Sequence, residues 1–223
     1  MTWVKICGTT NLEDALVAVE AAADAVGFVF YEKSPRNISV EAAREIVGKL
    51  PAGVEKIGVF VNELPERVSA IVDAVGLTAV QFHGDEHQNP AMYAVERKTF
   101  LCIPAEWVAM TWLKKGKAFG SFMVFPKNLQ AIMLDSSTSG QRGGTGKPFN
   151  WREARAWVSL ISQHHPIVVA GGLNSENVSE AIEILRPWGV DVASGVEARP
   201  GKKDPEKVRA FVKAVREMDR KTS

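Results

Sequence analysis

The sequence predicts an α/β fold, a single (β/α)8 barrel that spans residues 1–223. Short β-branched runs alternate with segments of helical periodicity along the whole chain, which is typical of parallel sheets covered by helices. The strand segments are apolar, as expected for strands buried on both faces. Eight strand–helix units fit this length at roughly 28 residues each. The alternative is an open doubly wound sheet, which usually has five or six strands, so the count favours the barrel.

The predicted strands are short runs rich in valine, isoleucine and phenylalanine, bounded by polar or glycine-containing loops. In chain order they are Val4–Cys7, Ala25–Phe30, Lys56–Val61, Ala79–His83, Thr99–Ile103, Gln130–Asp135, Pro166–Ala170 and Val190–Ala193.

Helices are predicted between the strands from apolar stripes and from capping residues. Ser39 and Asn150 have N-cap chemistry, and a helix over Trp151–Gln163 follows the second of them. Asp204 and Pro205 combine a cap residue with an N1 proline at the start of the last helix. The clearest stripes are Leu12, Ala15, Leu16, Val19, Ala22 and Ala23; Val68, Ile71, Val72 and Val75; Val178, Ala181, Ile182 and Leu185; and Val208, Phe211, Val212 and Val215.

The segment between Ile103 and Gln130 gives the weakest pattern. Helical character is visible over Trp107–Lys115. The apolar stretch FGSFMVF (119–125) that follows receives no assignment.

Composition excludes several classes of protein. Charged residues make up 24% and hydrophobic residues 46%, and the net charge is only +1, so we expect neither a nucleic-acid nor a membrane partner. The two cysteines, Cys7 and Cys102, form no CxxC motif, which suits a reducing compartment. The N-terminus has no apolar signal region. We therefore expect a cytoplasmic protein.

Reactive residue types cluster at the carboxyl ends of the predicted strands. In a barrel of this kind the active site lies at these ends. Because the strands themselves stay mostly apolar, this concentration at one rim indicates an enzyme. The residues concerned are Cys7, Arg36, His83, Asp135, Gly171, Gly172, Ser194 and Gly195.

Two glycine-containing loops, after the seventh and eighth strands, predict a phosphate site. Gly171 and Gly172 precede one helix start, and Ser194 and Gly195 follow the last strand. Glycine lets the backbone approach a ligand, and free N–H groups at helix starts favour anions. Glycines that merely form tight turns are the alternative, but two adjacent loops in the usual phosphate position of the fold favour phosphate.

A third glycine-rich stretch, Ser139–Lys147, does not match a P-loop, because Gln141 and Pro148 replace required motif residues. We interpret it as a mobile lid over the site, hinged by glycines, with an unremarkable flexible loop as the alternative. Its glycines are Gly143, Gly144 and Gly146.

Two rim residues are candidates for acid–base chemistry. Asp135 ends an apolar strand, where a carboxylate shielded by a lid suits a general acid; a capping role is the alternative. Cys7 is either a small buried hydrophobe or a thiolate base favoured by Lys5 on the same strand face. Asp191 lies in the strand that neighbours the first one in a closed barrel. We hypothesise that Lys5 and Asp191 pair inside the barrel beneath Cys7.

His83 and Arg36 complete the candidate set. A single histidine at a strand end is more often structural than catalytic, whereas the planar guanidinium of Arg36 suits a substrate carboxylate. No second histidine or carboxylate stands at metal-ligand spacing, so no metal is predicted.

Seven segments resemble the phosphoribosylanthranilate isomerase family of tryptophan biosynthesis. They occur in the family's order, and the first, fifth and last are quite specific to it. Asn150 departs from the aspartate that the family often has in an FDW motif. The segments are VKICGTT (4–10), SPRNIS (34–39), VFVN (59–62), VQFHG (80–84), MLDSSTSGQRGGTGKPFNW (133–151), VVAGGLNSENV (168–178) and DVASGVEARPGKKD (191–204).

The resemblance implies a (β/α)8 barrel and an Amadori rearrangement, the conversion of an N-(5-phosphoribosyl)anthranilate aminoaldose into an aminoketose. It implies Asp135 as the general acid, Cys7 as the general base and Arg36 as the ligand of the anthranilate carboxylate. It also implies that the loops containing Gly171 and Ser194 bind the phosphate. No cofactor is implied, and the protein is expected to be a monomer or a homodimer. The alternatives are another phosphosugar isomerase or epimerase, and a non-catalytic phosphosugar-binding module.

Overall fold

Eight parallel strands close into a barrel in the computed structural model, which describes residues 1–83, 94–115, 125–136 and 148–222. The strands follow sequence order around the barrel, and β1 pairs with both β2 and β8, so the open-sheet alternative is wrong. Their bounds are β1 Trp3–Ile6, β2 Ala25–Phe30, β3 Glu55–Val61, β4 Ala79–His83, β5 Lys98–Pro104, β6 Leu129–Asp135, β7 Ile167–Val169 and β8 Gly189–Val192.

Helices follow most strands and cover the outside of the barrel. In the described ranges they are α1 Leu12–Glu20, α2 Val40–Val47, α3 Pro65–Val75, α4 Ala105–Lys115, α5 Trp151–Ile161, α6 Val178–Leu185 and α7 Pro205–Thr222, with a short 3-10 helix over Ser194–Val196. A small antiparallel ribbon, β9 Glu197–Arg199 and β10 Lys202–Lys203, precedes α7 and was not predicted.

The predicted elements agree closely with these bounds. The caps at Ser39 and Asn150 are confirmed, since their side chains accept hydrogen bonds from the backbone N–H groups of Ala42 and Glu153. Helix α1 ends at Glu20, earlier than its apolar stripe suggested, because Ala22 adopts a positive φ of 63° in the turn that leads into β2. Residues 116–124, which include most of the unassigned FGSFMVF stretch, lie outside the described ranges.

Each strand divides its side chains between two environments, as the pleat requires. One set packs with the helices in the large outer core, for example Ile6, Phe28 and Phe82. The other set fills the barrel interior, whose buried apolar members are Ala25, Ile57, Ala79, Phe100, Cys102, Ala131, Met133 and Val168. The reactive side chains at the rim continue this inner set towards the carboxyl ends of the strands. Of the helices in the described ranges, none is long and apolar enough to cross a membrane.

Candidate active site

A cavity of about 410 Å³ opens at the carboxyl ends of the strands. It brings together most of the residues that the sequence predicted, from six different loops and strand ends. Gly195 lies beside this lining, and Gly143 and Gly144, with the rest of the predicted lid, lie outside the described residues. The predicted residues that line the cavity are Cys7, Arg36, His83, Asp135, Gly171, Gly172 and Ser194.

A buried ion pair forms the floor of the cavity and confirms the hypothesis made for Lys5. The Lys5 ammonium, fully buried, lies 2.8 Å from Oδ1 of Asp191 and donates a second 2.8 Å hydrogen bond to Oε1 of Gln81. Burial disfavours the charged ammonium, yet the Asp191 carboxylate more than offsets this and raises the pKa of Lys5. Lys5 therefore stays charged beneath the site.

Cys7 lies at the end of β1, directly beside this pair, and is 7% exposed. Space for its thiol and for the Lys5 stem depends on Gly27, where a Cβ atom would lie 2.9 Å from both Sγ of Cys7 and Cε of Lys5. The Lys5 ammonium lowers the pKa of the Cys7 thiol, as expected, but it is not the largest influence on that thiol. Burial raises the pKa of the Cys7 thiol, and Asp191 adds to the rise by offsetting the Lys5 charge.

Arg36 reaches the cavity in a pair with a carboxylate of the protein itself. Its Nε donates to Oε1 of Glu197 at 2.8 Å, and its Nη2 donates to Oε2 at 2.7 Å, which is a bidentate geometry. The hydrogen bonds that Arg36 donates to Glu197 raise the pKa of Arg36. Burial alone would raise the pKa of Glu197, but the Arg36 hydrogen bond and the Lys203 charge lower it. Glu197 thus fixes the orientation of Arg36 at the rim.

Lys203 joins this pair to the backbone of Cys7. Its ammonium donates to the Cys7 carbonyl at 2.6 Å, to the Ala193 carbonyl at 3.1 Å and to Oε1 of Glu197 at 3.1 Å. The residue is 2% exposed, and burial lowers its pKa. Lys203 therefore ties the ends of β1 and β8 to the ribbon β9–β10 at one point.

The loops after β7 and β8 have the shape expected of an anion site. Gly171 and Gly172 have φ values of 79° and 68°, in the left-handed region that favours glycine. The Asn177 side chain donates to the Gly172 carbonyl at 2.9 Å and accepts from the backbone N–H of Asn174 at 2.8 Å, so it braces the first loop. A Cβ atom at Gly195 would overlap the Leu173 carbonyl, so the two loops are in close contact.

Asp135 and His83 stand on the side of the rim formed by β4, β5 and β6. Both are half-buried, and both face the cavity. Cys102 is the register partner of His83 on β5. The ligand atoms of His83, Cys102 and Asp135 all lie within 4.8 Å of one another. Spacing along the sequence did not predict this cluster, because its members come from three different strands.

Sequence reasoning missed four residues of the site: Gln81, Asn177, Glu197 and Lys203. Gln81 could have been found by strand alternation, since it lies two residues before His83 on the same face. Glu197 and Lys203 stand in the motif DVASGVEARPGKKD, but their contacts depend on how the ribbon folds back over β1.

The closed parallel barrel and a rim cavity with a buried thiol, a carboxylate and two glycine loops define a (β/α)8-barrel enzyme. Residues 4–214 match the family model described as N-(5'phosphoribosyl)anthranilate (PRA) isomerase. The chain belongs to this family.

Individual relatives agree with this assignment. The N-(5'-phosphoribosyl)anthranilate isomerase of Rubrobacter xylanophilus is 44% identical over 216 residues, which cover 97% of this chain and 100% of that protein. The crystal structure of the Thermotoga maritima isomerase superposes with a TM-score of 0.82 at 40% identity, covering 97% of this chain and 100% of that one. A further isomerase structure, in complex with reduced 1-(o-carboxyphenylamino)-1-deoxyribulose 5-phosphate, has a TM-score of 0.79 at 39% identity, with coverage of 97% and 100%.

Proposed function

We propose that this isomerase catalyses the Amadori rearrangement of N-(5-phosphoribosyl)anthranilate in tryptophan biosynthesis, with Cys7 as the base and Asp135 as the acid. The observation that carries the proposal is the single cavity lined by this thiol, this carboxylate, Arg36 and the Gly171–Gly172 loop in a member of the family. A related enzyme binds a reduced form of the aminoketose product, which has a carboxylate at one end and a phosphate at the other.

The two proton-transfer groups approach the sugar from separate strands. Asp135 on β6 donates a proton to the ribose ring oxygen, the bond from C1 to that oxygen breaks, and the nitrogen lone pair forms an iminium. The Cys7 thiolate then removes the C2 proton and leaves an enolamine, which takes up a proton at C1 and releases the proton of its C2 hydroxyl to give the ketone. No redox equivalent is consumed, because an acid and a base are sufficient for this isomerisation.

The substrate's two anionic ends are proposed to fix its register between these groups. The backbone N–H groups of the Gly171–Gly172 and Ser194–Gly195 loops bind the phosphate. Arg36 uses Nε and Nη2 for Glu197, so its Nη1 donors remain for the anthranilate carboxylate. We propose His83, which lines the same cavity, as a further substrate contact. Binding energy from the remote phosphate aligns the reacting carbons.

Cys7 needs its proton removed before it can act, and burial opposes this step. The groups around it are three cations, Lys5, Arg36 and Lys203, and two carboxylates, Asp191 and Glu197. These five charges leave one net positive charge, which ionisation of Cys7 neutralises. We propose that this balance makes the thiolate attainable at the alkaline end of the physiological range.

The assembly and location of the protein follow the family by analogy. The Thermotoga maritima enzyme is dimeric, and monomers of it have been crystallised. We propose a monomer or homodimer here, formed by one barrel domain over the whole chain, in the cytoplasm.

The test is turnover of phosphoribosylanthranilate generated in place and followed by the loss of its anthranilate fluorescence. We expect Asp135→Asn to lower kcat by on the order of 10²–10⁴ with little change in phosphate affinity, and Cys7→Ala to cause a similar loss. Cys102→Ser is the matched control, because it removes the other thiol of the chain. Near-normal turnover by Cys7→Ala would leave the reaction in place and overturn the assigned base.

A further inference from the structure

We propose that His83, Cys102 and Asp135 form a binding site for a soft divalent cation such as Zn²⁺, and that the cation inhibits the enzyme when it binds there. The three residues end or nearly end the adjacent strands β4, β5 and β6. The binding step depends only on these side chains. The inhibition rests on the proposed function, because it requires Asp135 to be the acid.

The fold presents the three side chains to one point. Each continues the inner set of its own strand at two-residue intervals. His83 follows Ala79 and Gln81, Cys102 follows Phe100, and Asp135 follows Ala131 and Met133. The register places Cys102 opposite His83 on one side and opposite Met133 on the other. Asp135 lies two residues beyond Met133 on the same face of β6, so the three strand ends bring a nitrogen, a sulfur and an oxygen ligand within 4.8 Å of one another.

The distances suit a metal after a small contraction. The ligand atoms lie within 4.8 Å of one another. Zn²⁺ bonds of about 2.0–2.3 Å in a tetrahedron bring ligand atoms to about 3.5 Å from one another. Side-chain torsions of His83 and Asp135, both half-buried at the rim, can supply this movement without a backbone shift.

The donor set selects the class of metal. Imidazole nitrogen and thiolate sulfur prefer Zn²⁺ and related transition ions, whereas Mg²⁺ and Ca²⁺ prefer oxygen ligands only. Cys102 is 3% exposed and packs in the apolar inner cluster, so a metal–thiolate bond there would be shielded from water. Binding forms the metal–sulfur bond and releases the thiol proton to solvent. Three protein ligands leave a fourth position that faces the cavity.

A cation at this site would stop the proposed reaction in a defined way. Its bond to the Asp135 oxygen removes the carboxyl proton that the substrate ring oxygen needs. Its fourth ligand, a water, would occupy space between His83 and Asp135, both of which line the cavity. We therefore expect inhibition to be reversed when a chelator removes the metal.

The binding test uses Co²⁺ as a spectroscopic substitute for Zn²⁺, because a cobalt–thiolate bond gives a charge-transfer absorption band. The chain has only two cysteines, so the band can be assigned by two matched variants. We expect the band in the wild type and in Cys7→Ser, and its loss in Cys102→Ser. A band that survives Cys102→Ser and disappears in Cys7→Ser, or no band in the wild type, would overturn the proposal.

The activity test separates this site from the proposed function. Cys102→Ser is expected to keep basal turnover and to need on the order of tenfold more free Zn²⁺ for half-inhibition than the wild type. Equal Zn²⁺ sensitivity of the two proteins would refute the site. If Cys102→Ser folds poorly, Cys102→Ala replaces it in calorimetric titration of Zn²⁺. A cobalt band without inhibition would retain the site and count against Asp135 as the acid.

Discussion

Replacing Lys203 by methionine tests whether the ribbon β9–β10 holds the carboxyl end of β1 in place. Methionine keeps the length and apolar volume of the lysine stem but removes the ammonium. Three acceptors then lose their donor: the carbonyls of Cys7 and Ala193 and the carboxylate of Glu197. All three distances lie between 2.6 and 3.1 Å, so each is a hydrogen bond from a charged group.

The expected loss in the free energy of unfolding follows from these contacts. A hydrogen bond to a charged group contributes about 1.5–3 kcal/mol, but bonds from one ammonium are not additive. Glu197 keeps its bidentate Arg36 partner, so its charge stays paired. The carbonyls of Cys7 and Ala193 are left without this charged donor, so we expect Lys203→Met to lower the free energy of unfolding by about 3 kcal/mol.

The assay is urea unfolding at pH 7, with Lys202→Met as the matched control. Lys202 is the neighbouring residue, and its partly exposed ammonium pairs with the exposed Glu13 and the buried Asp14. Asp14 would retain its bonds from Asn11 and from the Lys203 backbone, so the control should lose only about 1 kcal/mol. Equal stability of the two variants would refute the reasoning that Lys203 ties the strand ends together.

Three further outcomes are expected. Because the Cys7 pKa is raised, kcat/KM should increase with pH through the alkaline range, and Cys7 alkylation should follow the same curve; a plateau below pH 7 would contradict this. Gly27→Ala should destabilise the protein by about 1–3 kcal/mol and reduce turnover, because its Cβ would meet Cys7 and Lys5, whereas Gly53→Ala, which meets nothing within 4 Å, should be silent. Burial would raise the pKa of Asp219, but hydrogen bonds from Thr2 and Arg216 lower it. The stability that this carboxylate gives is therefore present above about pH 4 and is lost as the pH falls. Asp219→Asn should flatten that part of the plot of urea midpoint against pH.

Strand periodicity predicted the barrel because parallel strands in this fold are short, apolar and regularly spaced. The bounds of β2 and β4 agree with the prediction to the residue, and the rim position of Cys7, His83 and Asp135 follows once strand ends are known. The ribbon at 197–203 was not predicted, since its strands contain two or three residues and have no apolar alternation. Its attachment to the barrel depends on contacts of Lys203 with residues up to 196 positions away.

The protonation of Cys7 is a property that the sequence pattern could not predict. The sequence placed Lys5 beneath Cys7 and Asp191 beside it, and the structure has both. Whether the pKa of Cys7 is raised or lowered depends on the balance between burial and the surrounding charges. The spacing of residues along the sequence does not show this balance. Burial is the largest influence on the thiol, and the Asp191 carboxylate offsets part of the cationic charge.

The buried charges at the top of the barrel favour function at the expense of stability. An apolar layer like the one formed by Phe100, Met133 and Val168 would fill the same space without desolvating any ion. Lys5, Asp191, Glu197 and Lys203 are instead all less than 10% exposed, and each is held by hydrogen bonds from different strands or loops. Such a network is costly to form and costly to break. The proposed role of Cys7 as a base accounts for the network, because a preorganised positive charge assists loss of the thiol proton without any rearrangement of the protein.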